Sequence, residues 1–161
     1  MSTKWGIIST AHINRLLLAA ARESDRVDVL AVASRDQARV EEYAREWGIE
    51  RAYGSYEAML ADPEVEAVYI SLPNSLHVEW SIRSLEAGKH VLCEKPFDRR
   101  ASEVERAFDA AEAAGRLLSE AFMYRHNPQT RRLRELLDDG SIGEVRLVRS
   151  AFCFKLEEMG N

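Results

Sequence analysis

His90-Val91-Leu92-Cys93-Glu94-Lys95-Pro96-Phe97-Asp98 is the stretch that decides how this chain folds. Its first four residues predict a short buried strand, and a carboxylate, an ammonium and a proline follow directly. In open α/β sheets, ligands bind in the crevice outside the carboxyl ends of the strands. A lysine at such an end, beside Glu94 and before an X-Pro bond, fits a positioned acid or hydrogen-bond donor better than core packing.

Strand and helix patterns alternate on both sides of this stretch. Apolar runs predict strands over 5–8, 27–33, 67–71, 90–93 and 117–122. Helical spacing predicts helices over 13–22, 36–47, 56–60, 76–87 and 102–114, with Gly48, Gly88 and Gly115 as stops. Repeated β-then-α units with apolar strands indicate an α/β fold, a doubly wound parallel sheet with helices on both faces.

The pattern changes near residue 123. A polar and aromatic connection over 123–128 precedes a charged helix over 130–137, and residues 144–156 are typical of a long half-apolar strand. Such a strand lacks partners within the chain. We therefore expect residues 1–122 to form one domain and 123–161 to be the start of an incomplete second, α+β domain.

Composition narrows the function classes. Hydrophobic residues make up 46% and charged residues 30% of the 161 residues, values typical of a soluble globular protein. The net charge of −5, without a Lys/Arg run, argues against nucleic acid and favours a small-molecule partner. No signal peptide and no apolar run of about 18 residues are found, so the expected location is cytoplasmic, without a membrane partner.

The two cysteines, Cys93 and Cys153, lie far apart in strand-like runs. The pattern is typical of buried reduced thiols. No CxxC or Cys/His cluster indicates a metal, so no metal site is predicted.

The loop after the first strand is Ser9-Thr10-Ala11-His12-Ile13-Asn14. A dinucleotide fingerprint, G-x-G-x-x-G/A, would place small residues at 9, 11 and 14, so the motif fails by its letter. Ser9 and Ala11 are nevertheless small enough for a pyrophosphate to approach the backbone, and Ser9 and Thr10 can donate hydroxyl hydrogens beside the following helix N-terminus. An ordinary turn with a Ser/Thr cap remains the alternative.

The second strand ends in Ala33-Ser34-Arg35-Asp36, with Arg39 one turn later. NAD sites usually carry an acidic residue here for the ribose 2′-OH. The hydroxyl of Ser34 and the guanidinium groups of Arg35 and Arg39 suit a 2′-phosphate instead. Asp36 either caps the next helix or accepts from a ribose hydroxyl, so the sequence favours NADP while leaving NAD open.

The third strand ends in Ser71-Leu72-Pro73-Asn74-Ser75-Leu76-His77. Pro73 stops the strand, and Asn74 and Ser75 can cap the helix that follows. This turn borders the same crevice as Lys95. His77 either reaches a ribose or caps locally, and a plain strand-to-helix turn is the alternative.

Four motifs occur in order: Trp5–Ala11, Pro73-Asn74-Ser75-Leu76-His77, Glu94-Lys95-Pro96 and Glu120-Ala121-Phe122-Met123-Tyr124-Arg125. Together they resemble the glucose–fructose oxidoreductase/inositol dehydrogenase (Gfo/Idh/MocA) family over essentially the whole chain. Within it, the chain is most similar to the NADP-linked sugar and dihydrodiol dehydrogenases.

The resemblance implies a Rossmann domain followed by an open, mostly antiparallel α+β domain that forms the substrate wall and homo-oligomer contacts. It implies a cis Lys95–Pro96 bond and places Lys95 beside the nicotinamide and the reacting oxygen. Residues expected at the cofactor are Ser9, Thr10, Ala11, His12, Ile13, Ser34, Arg35, Arg39, Leu72, Pro73, Asn74, Leu76, His77, Glu94, Lys95 and Pro96. Residues expected near the substrate are Tyr124, Arg125 and Asn127.

The expected activity is hydride transfer between NADP or NAD and a sugar, polyol or diol, with Lys95 hydrogen-bonding the substrate oxygen. The family's Asp/His acid–base motif would lie beyond Asn161. Two alternatives stay open: a nucleotide-binding module or pseudo-enzyme without turnover, and a glycoside hydrolase that uses the nicotinamide transiently.

Overall fold

Two units make up the chain, Met1–Phe122 and a second that begins at Met123. They are seen in a computed structural model that describes residues 1–153. None of the helices in that range is long and apolar enough to cross a membrane.

The first unit is built on a parallel sheet of six strands in the order β3-β2-β1-β4-β5-β6. The strands are β1 (Thr3–Ile8), β2 (Val27–Ala33), β3 (Arg51–Tyr53), β4 (Ala67–Ile70), β5 (His90–Cys93) and β6 (Leu118–Glu120). The helices are α1 (Asn14–Arg22), α2 (Gln37–Trp47), α3 (Tyr56–Leu60), α4 (His77–Glu86) and α5 (Ala101–Ala114). A short 3-10 turn, Asn74–Leu76, precedes α4.

Helices cover both faces of this sheet. One buried cluster packs α3, α4 and α5 residues, including Met59, Leu85 and Ala107, against the sheet. A second cluster joins α1 and α2 residues such as Leu18 and Val40 to the other face. The predicted doubly wound α/β sheet is therefore confirmed, and its strand order reverses between β1 and β4, where such folds place ligands.

Helix ends follow predicted signals at several places. Asp36 caps α2, because its Oδ1 accepts a hydrogen bond from the Arg39 N–H at 3.1 Å. Gly48 and Gly115 end α2 and α5 in the left-handed conformation, with φ angles of 66° and 61°, as predicted for both.

Two local predictions in the first unit need correction. Asn74 and Ser75 do not cap a helix with their side chains, because the chain enters α4 through the 3-10 turn, in which the Leu76 N–H donates to the Pro73 carbonyl. Strand β3 was not predicted, since three half-buried residues are too short for a detectable period.

In the second unit, the turn Met123–His126 leads into α6 (Pro128–Asp138). The strand predicted over 144–156 is wrong where the structure describes it: residues 144–153 have no regular secondary structure, and Val148 and Phe152 are exposed. A strand needs a hydrogen-bonding partner, and no pairing with these residues is found in the described chain. Cys93 is buried as predicted, but Cys153, in this segment, is exposed; residues 154–156 lie outside the described range.

A buried carboxylate, that of Asp62, binds side chains of β3 away from the carboxyl ends of the strands. Asp62 Oδ2 accepts hydrogen bonds from Arg51 at 2.8 Å and from the Tyr53 hydroxyl at 2.7 Å, while Oδ1 accepts from the Glu64 N–H. Burial acts to raise the pKa of Asp62, but these donors outweigh it and lower the pKa to about 2. The folded state therefore favours the ionised form.

We predict that Asp62→Asn lowers the free energy of unfolding by about 1–3 kcal/mol at pH 7, because the charge-assisted bonds are lost. The carboxylate's contribution is present above its unfolded pKa of about 4 and is lost as the pH falls toward 2. The difference between wild type and variant should therefore shrink across that window, as measured by urea unfolding at several pH values.

Asp25→Asn is the control, because Asp25 is exposed in a turn and no ion pair or hydrogen bond of its carboxylate is found in residues 1–153. A difference between wild type and Asp62→Asn that stays constant from pH 4 to pH 2 would contradict the prediction.

Candidate functional site

The carboxyl ends of four parallel strands meet at one edge of the sheet. The register pairs Ile8 with Ala33 and with Ile70, and Ile70 with Cys93. The next residue of each strand continues the ladder: Ser9 N–H donates to Ala33, Ser71 N–H to Ile8 and Glu94 N–H to Ile70, at 3.0, 3.3 and 2.8 Å. The structure thus brings together, at one edge, the four strand-end segments that the sequence singled out.

Ser9 adopts a backbone conformation that glycine usually supplies. Its φ angle is 114°, and it is the one non-glycine residue with a positive φ in residues 1–153. This is the position of the first glycine in the dinucleotide fingerprint. The loop therefore keeps the glycine-type backbone without the glycine.

Hydrogen bonds compensate for the strain at Ser9. Its Oγ accepts from the Ala11 N–H at 3.1 Å and lies 2.7 Å from Ser71 Oγ. Asn14 is fully buried, donates through Nδ2 to the Ser9 carbonyl at 2.9 Å, and accepts from Ser71 Oγ at 2.6 Å. Ser9, Asn14 and Ser71 form a closed polar network, which we call the serine–asparagine network. It bonds the loop after β1 to the end of β4.

The loop presents main-chain donors. In the described part of the chain, no acceptor is found for the N–H groups of Thr10, His12 and Ile13. They lie directly before α1, where the helix dipole favours negative charge. Three such donors within four residues suit an anion such as a pyrophosphate.

Two guanidinium groups without an ion pair in residues 1–153 lie near the end of β2, one after the strand and one in the first turn of α2. Arg35 and Arg39 are exposed, and neither forms an ion pair with any residue in 1–153. Arg39 lines a cleft of about 340 Å³ with Thr10, His12 and Arg15, and Arg35 lines another of about 330 Å³ with Ser55, Leu76 and Trp80. Asp36 caps α2 through its Oδ1, so this oxygen is committed to the helix N-terminus.

Glu94 is held from within the sheet. The Tyr69 hydroxyl donates to Glu94 Oε1 at 2.7 Å. Burial and this hydrogen bond raise the pKa of Tyr69 far above its usual value, so the hydroxyl stays protonated and remains a donor.

Lys95 lies at the exposed side of the same turn. Its Nζ is 3.9 Å from Glu94 Oε2, beyond hydrogen-bond distance, and its side chain is 45% exposed. The predicted pairing with Glu94 is thus a long ion pair, which leaves the ammonium hydrogens available to another acceptor. The Lys95–Pro96 peptide is cis, as the resemblance implied.

The other predicted residues of the first unit differ in their exposure. Pro73 and Asn74 are exposed at the edge, and Leu72 is buried beneath them. His77 is fully buried, and its two ring nitrogens lie on main-chain carbonyls, which contradicts both a direct contact with a cofactor ribose and a local cap.

Tyr124, Arg125 and Asn127 belong to the second unit. Asn127 caps α6, because its Oδ1 accepts from the Gln129 N–H at 2.9 Å. Contact between these residues and a substrate stays a prediction.

Sequence reasoning missed three residues of the site. Tyr69 is a buried strand tyrosine whose hydroxyl needs a partner, and Ser71 is a buried serine at a strand end; both were visible as polar groups in apolar runs. Arg15 lines the same cleft as Arg39, but nothing in its sequence context distinguishes it from any other exposed helix residue.

Comparisons with known proteins agree with this geometry. The model of the GFO_IDH_MocA oxidoreductase family, with an NAD-binding Rossmann fold, matches residues 3–122. A D-xylose 1-dehydrogenase (NADP(+)) from Haloferax volcanii is 46% identical over 154 residues, which are 96% of this chain and 47% of that protein. A mouse trans-1,2-dihydrobenzene-1,2-diol dehydrogenase is 39% identical over 161 residues, which are 99% of this chain and 48% of that protein.

A solved structure shares the fold. A 3-ketoreductase from Actinomadura kijaniata, crystallised with TDP-benzene and NADP, aligns with a TM-score of 0.81 and 41% identity, covering 91% of this chain and 46% of that one. The chain spans about half the length of the curated relatives it matches. On the match over 3–122 and the identity to these relatives, the chain belongs to the Gfo/Idh/MocA oxidoreductase family, as its motifs indicated.

Proposed function

We propose that this chain is the NADP-binding part of an oxidoreductase that transfers a hydride between the nicotinamide and a sugar, polyol or diol oxygen-bearing carbon. The observation that carries the proposal is that Lys95, three N–H groups and two arginines lie at one edge of the sheet, with no acceptor for those N–H groups and no ion pair for those arginines in residues 1–153. The name of the D-xylose dehydrogenase and the complex of the 3-ketoreductase support NADP, and the names of the D-xylose and dihydrobenzene-diol dehydrogenases support the substrate class.

The residues present fit such a cofactor. Thr10, His12 and Ile13 would hold the pyrophosphate through their N–H groups, with Ser9 and Ala11 supplying the close approach. Ser34, Arg35 and Arg39 would bind the 2′-phosphate. The remaining predicted contacts, Leu72, Pro73, Asn74, Leu76, Glu94 and Pro96, would border the adenine cleft or the nicotinamide ribose.

When bound, the cofactor supplies the hydride acceptor or donor at its nicotinamide ring. Lys95 would donate a hydrogen bond to the substrate oxygen and stabilise the negative charge that develops there. Glu94, fixed by Tyr69, would hold the backbone and the charge beside Lys95 in place. Lys95 is therefore the catalytic residue of this proposal.

The division of labour between the two units is also part of the proposal. Residues 1–122 would bind the cofactor, and residues 123–161 would begin a substrate domain in which Tyr124, Arg125 and Asn127 border the substrate. A cytoplasmic location and a homo-oligomer in the full-length protein complete it. The lengths of the relatives support this arrangement, since the chain corresponds to about half of each.

We predict that Arg35→Ala weakens NADPH binding by about tenfold or more while NADH affinity changes by less than about threefold. The reason is that a charge-assisted contact to the 2′-phosphate is lost, and NADH has no such phosphate. The measurement is a parallel fluorescence titration of the chain with both nucleotides.

Arg45→Ala serves as the matched control, because Arg45 is an exposed arginine in the last turn of the helix that carries Arg39. It should leave both affinities unchanged. Equal losses of NADPH and NADH in Arg35→Ala would show that this arginine does not read the 2′-phosphate.

We predict that Lys95→Met leaves NADPH affinity within about threefold but lowers kcat by about 10²-fold or more, because the donor to the reacting oxygen is removed. NADPH oxidation is measured with a panel of sugar and diol carbonyl compounds, on this chain and on any longer product of its reading frame.

Near-normal turnover of Lys95→Met would exclude the catalytic role. Nucleotide binding without turnover in every wild-type preparation would favour a binding module. Release of a free sugar without net cofactor consumption would favour the glycoside hydrolase.

A further inference from the structure

One buried histidine joins two of the strand-end turns. His77 is the first residue of α4 and is 0% exposed. Its Nε2 lies 2.8 Å from the Leu72 carbonyl oxygen and its Nδ1 lies 2.9 Å from the Pro96 carbonyl oxygen. Leu72 belongs to the turn after β4, and Pro96 to the turn after β5, so one imidazole lies against both. A neutral imidazole carries one N–H, so it donates a hydrogen bond to one of these carbonyls, and the tautomer decides which.

No other donor replaces these contacts. Within residues 1–153, no further hydrogen bond to the Leu72 or Pro96 carbonyl is found. The contact with the Leu72 carbonyl is buried, so that oxygen would lose its partner away from water, whereas the contact with the Pro96 carbonyl is partly buried. An apolar ring of similar size could fill the space of His77 but could not hold the two turns.

The turn that carries Lys95 forms other hydrogen bonds, but their partners lie in β4 and β6 and not in the Leu72–Asn74 segment. Glu94 is bonded to Ile70 and Tyr69 of β4, and the Phe97 N–H donates to Glu120 of β6 at 2.8 Å. These contacts fix the turn against the neighbouring strands. His77 supplies the hydrogen bond from this turn to the segment that begins at Leu72.

We propose that His77 is a positioning residue: it sets the separation between the Leu72–Asn74 segment and the Lys95–Pro96 turn, and so the width of the crevice on the nicotinamide side. The proposal rests on the proposed function, because that function places the nicotinamide ribose between these two turns. His77 itself touches neither cofactor nor substrate. Its contact with Pro96 acts on the turn that carries Lys95, whereas Arg35 and Arg39 lie after β2 and in α2.

A ligand without the nicotinamide therefore provides a test, because general destabilisation of the fold would weaken the binding of both ligands. 2′,5′-ADP carries the adenosine, the 2′-phosphate and a 5′-phosphate but no nicotinamide, so it should occupy the cleft of Arg35 without reaching the turn that carries Lys95, whereas NADPH must reach both. We expect His77→Phe to weaken NADPH by about tenfold or more and to reduce the enhancement of nicotinamide fluorescence on binding, with 2′,5′-ADP affinity changed by less than about twofold. His77→Gln, which can restore one hydrogen bond, should fall between wild type and His77→Phe.

Two further measurements make the result decisive. Asp62→Asn, which loses buried hydrogen bonds at the opposite edge of the sheet, should change neither affinity. If His77→Phe does not fold, His77→Gln must show the same separation of the two ligands.

Equal losses of both ligands in the His77 variants, or no loss of NADPH, would overturn the positioning role while leaving the cofactor site in place. A wild-type chain that binds neither 2′,5′-ADP nor NADPH would overturn the proposed function and the positioning role with it.

Discussion

Parallel pairing of β1 with both β2 and β4 is the constraint on which the rest of the site depends. Because every strand runs in the same direction, each one ends at the same edge, and the residue after each strand emerges beside its neighbours. Ser9, Ser71 and Glu94 are bonded into the ladder by their N–H groups. Residues distant in sequence are thereby placed at one edge of the sheet.

The loop after β1, residues 9–13, keeps the backbone conformation of a dinucleotide-binding loop with other residues than the usual glycines. A serine at φ 114° is unfavourable alone, by about 1–3 kcal/mol. Hydrogen bonds within the serine–asparagine network offset that cost, and a buried asparagine takes the third position of the fingerprint. The motif fails as a string of letters, yet the loop retains its donor groups.

Hydrophobic periodicity predicted the doubly wound sheet and most of its helices because long buried runs leave a strong signal. It missed Arg51–Tyr53, which is short and half-buried, and it placed a strand over residues 144–153, where apolar alternation was present but no pairing partner was. The candidate residues at strand ends were predictable from their chemistry. The contacts of the His77 ring with main-chain carbonyls and the hydrogen bond from Tyr69 to Glu94 join residues that are separate in sequence, so no local pattern predicts them.

We propose that a nicotinamide dinucleotide lies along these strand ends, with Lys95 at its reactive end. A crystal structure of the chain grown with NADPH tests it most directly. We expect the adenosine phosphate beside Arg35 and Arg39, the pyrophosphate on the N–H groups of Thr10, His12 and Ile13, and the nicotinamide within reach of Lys95 Nζ. A nucleotide bound elsewhere, or an ammonium turned away from the nicotinamide, would contradict the account.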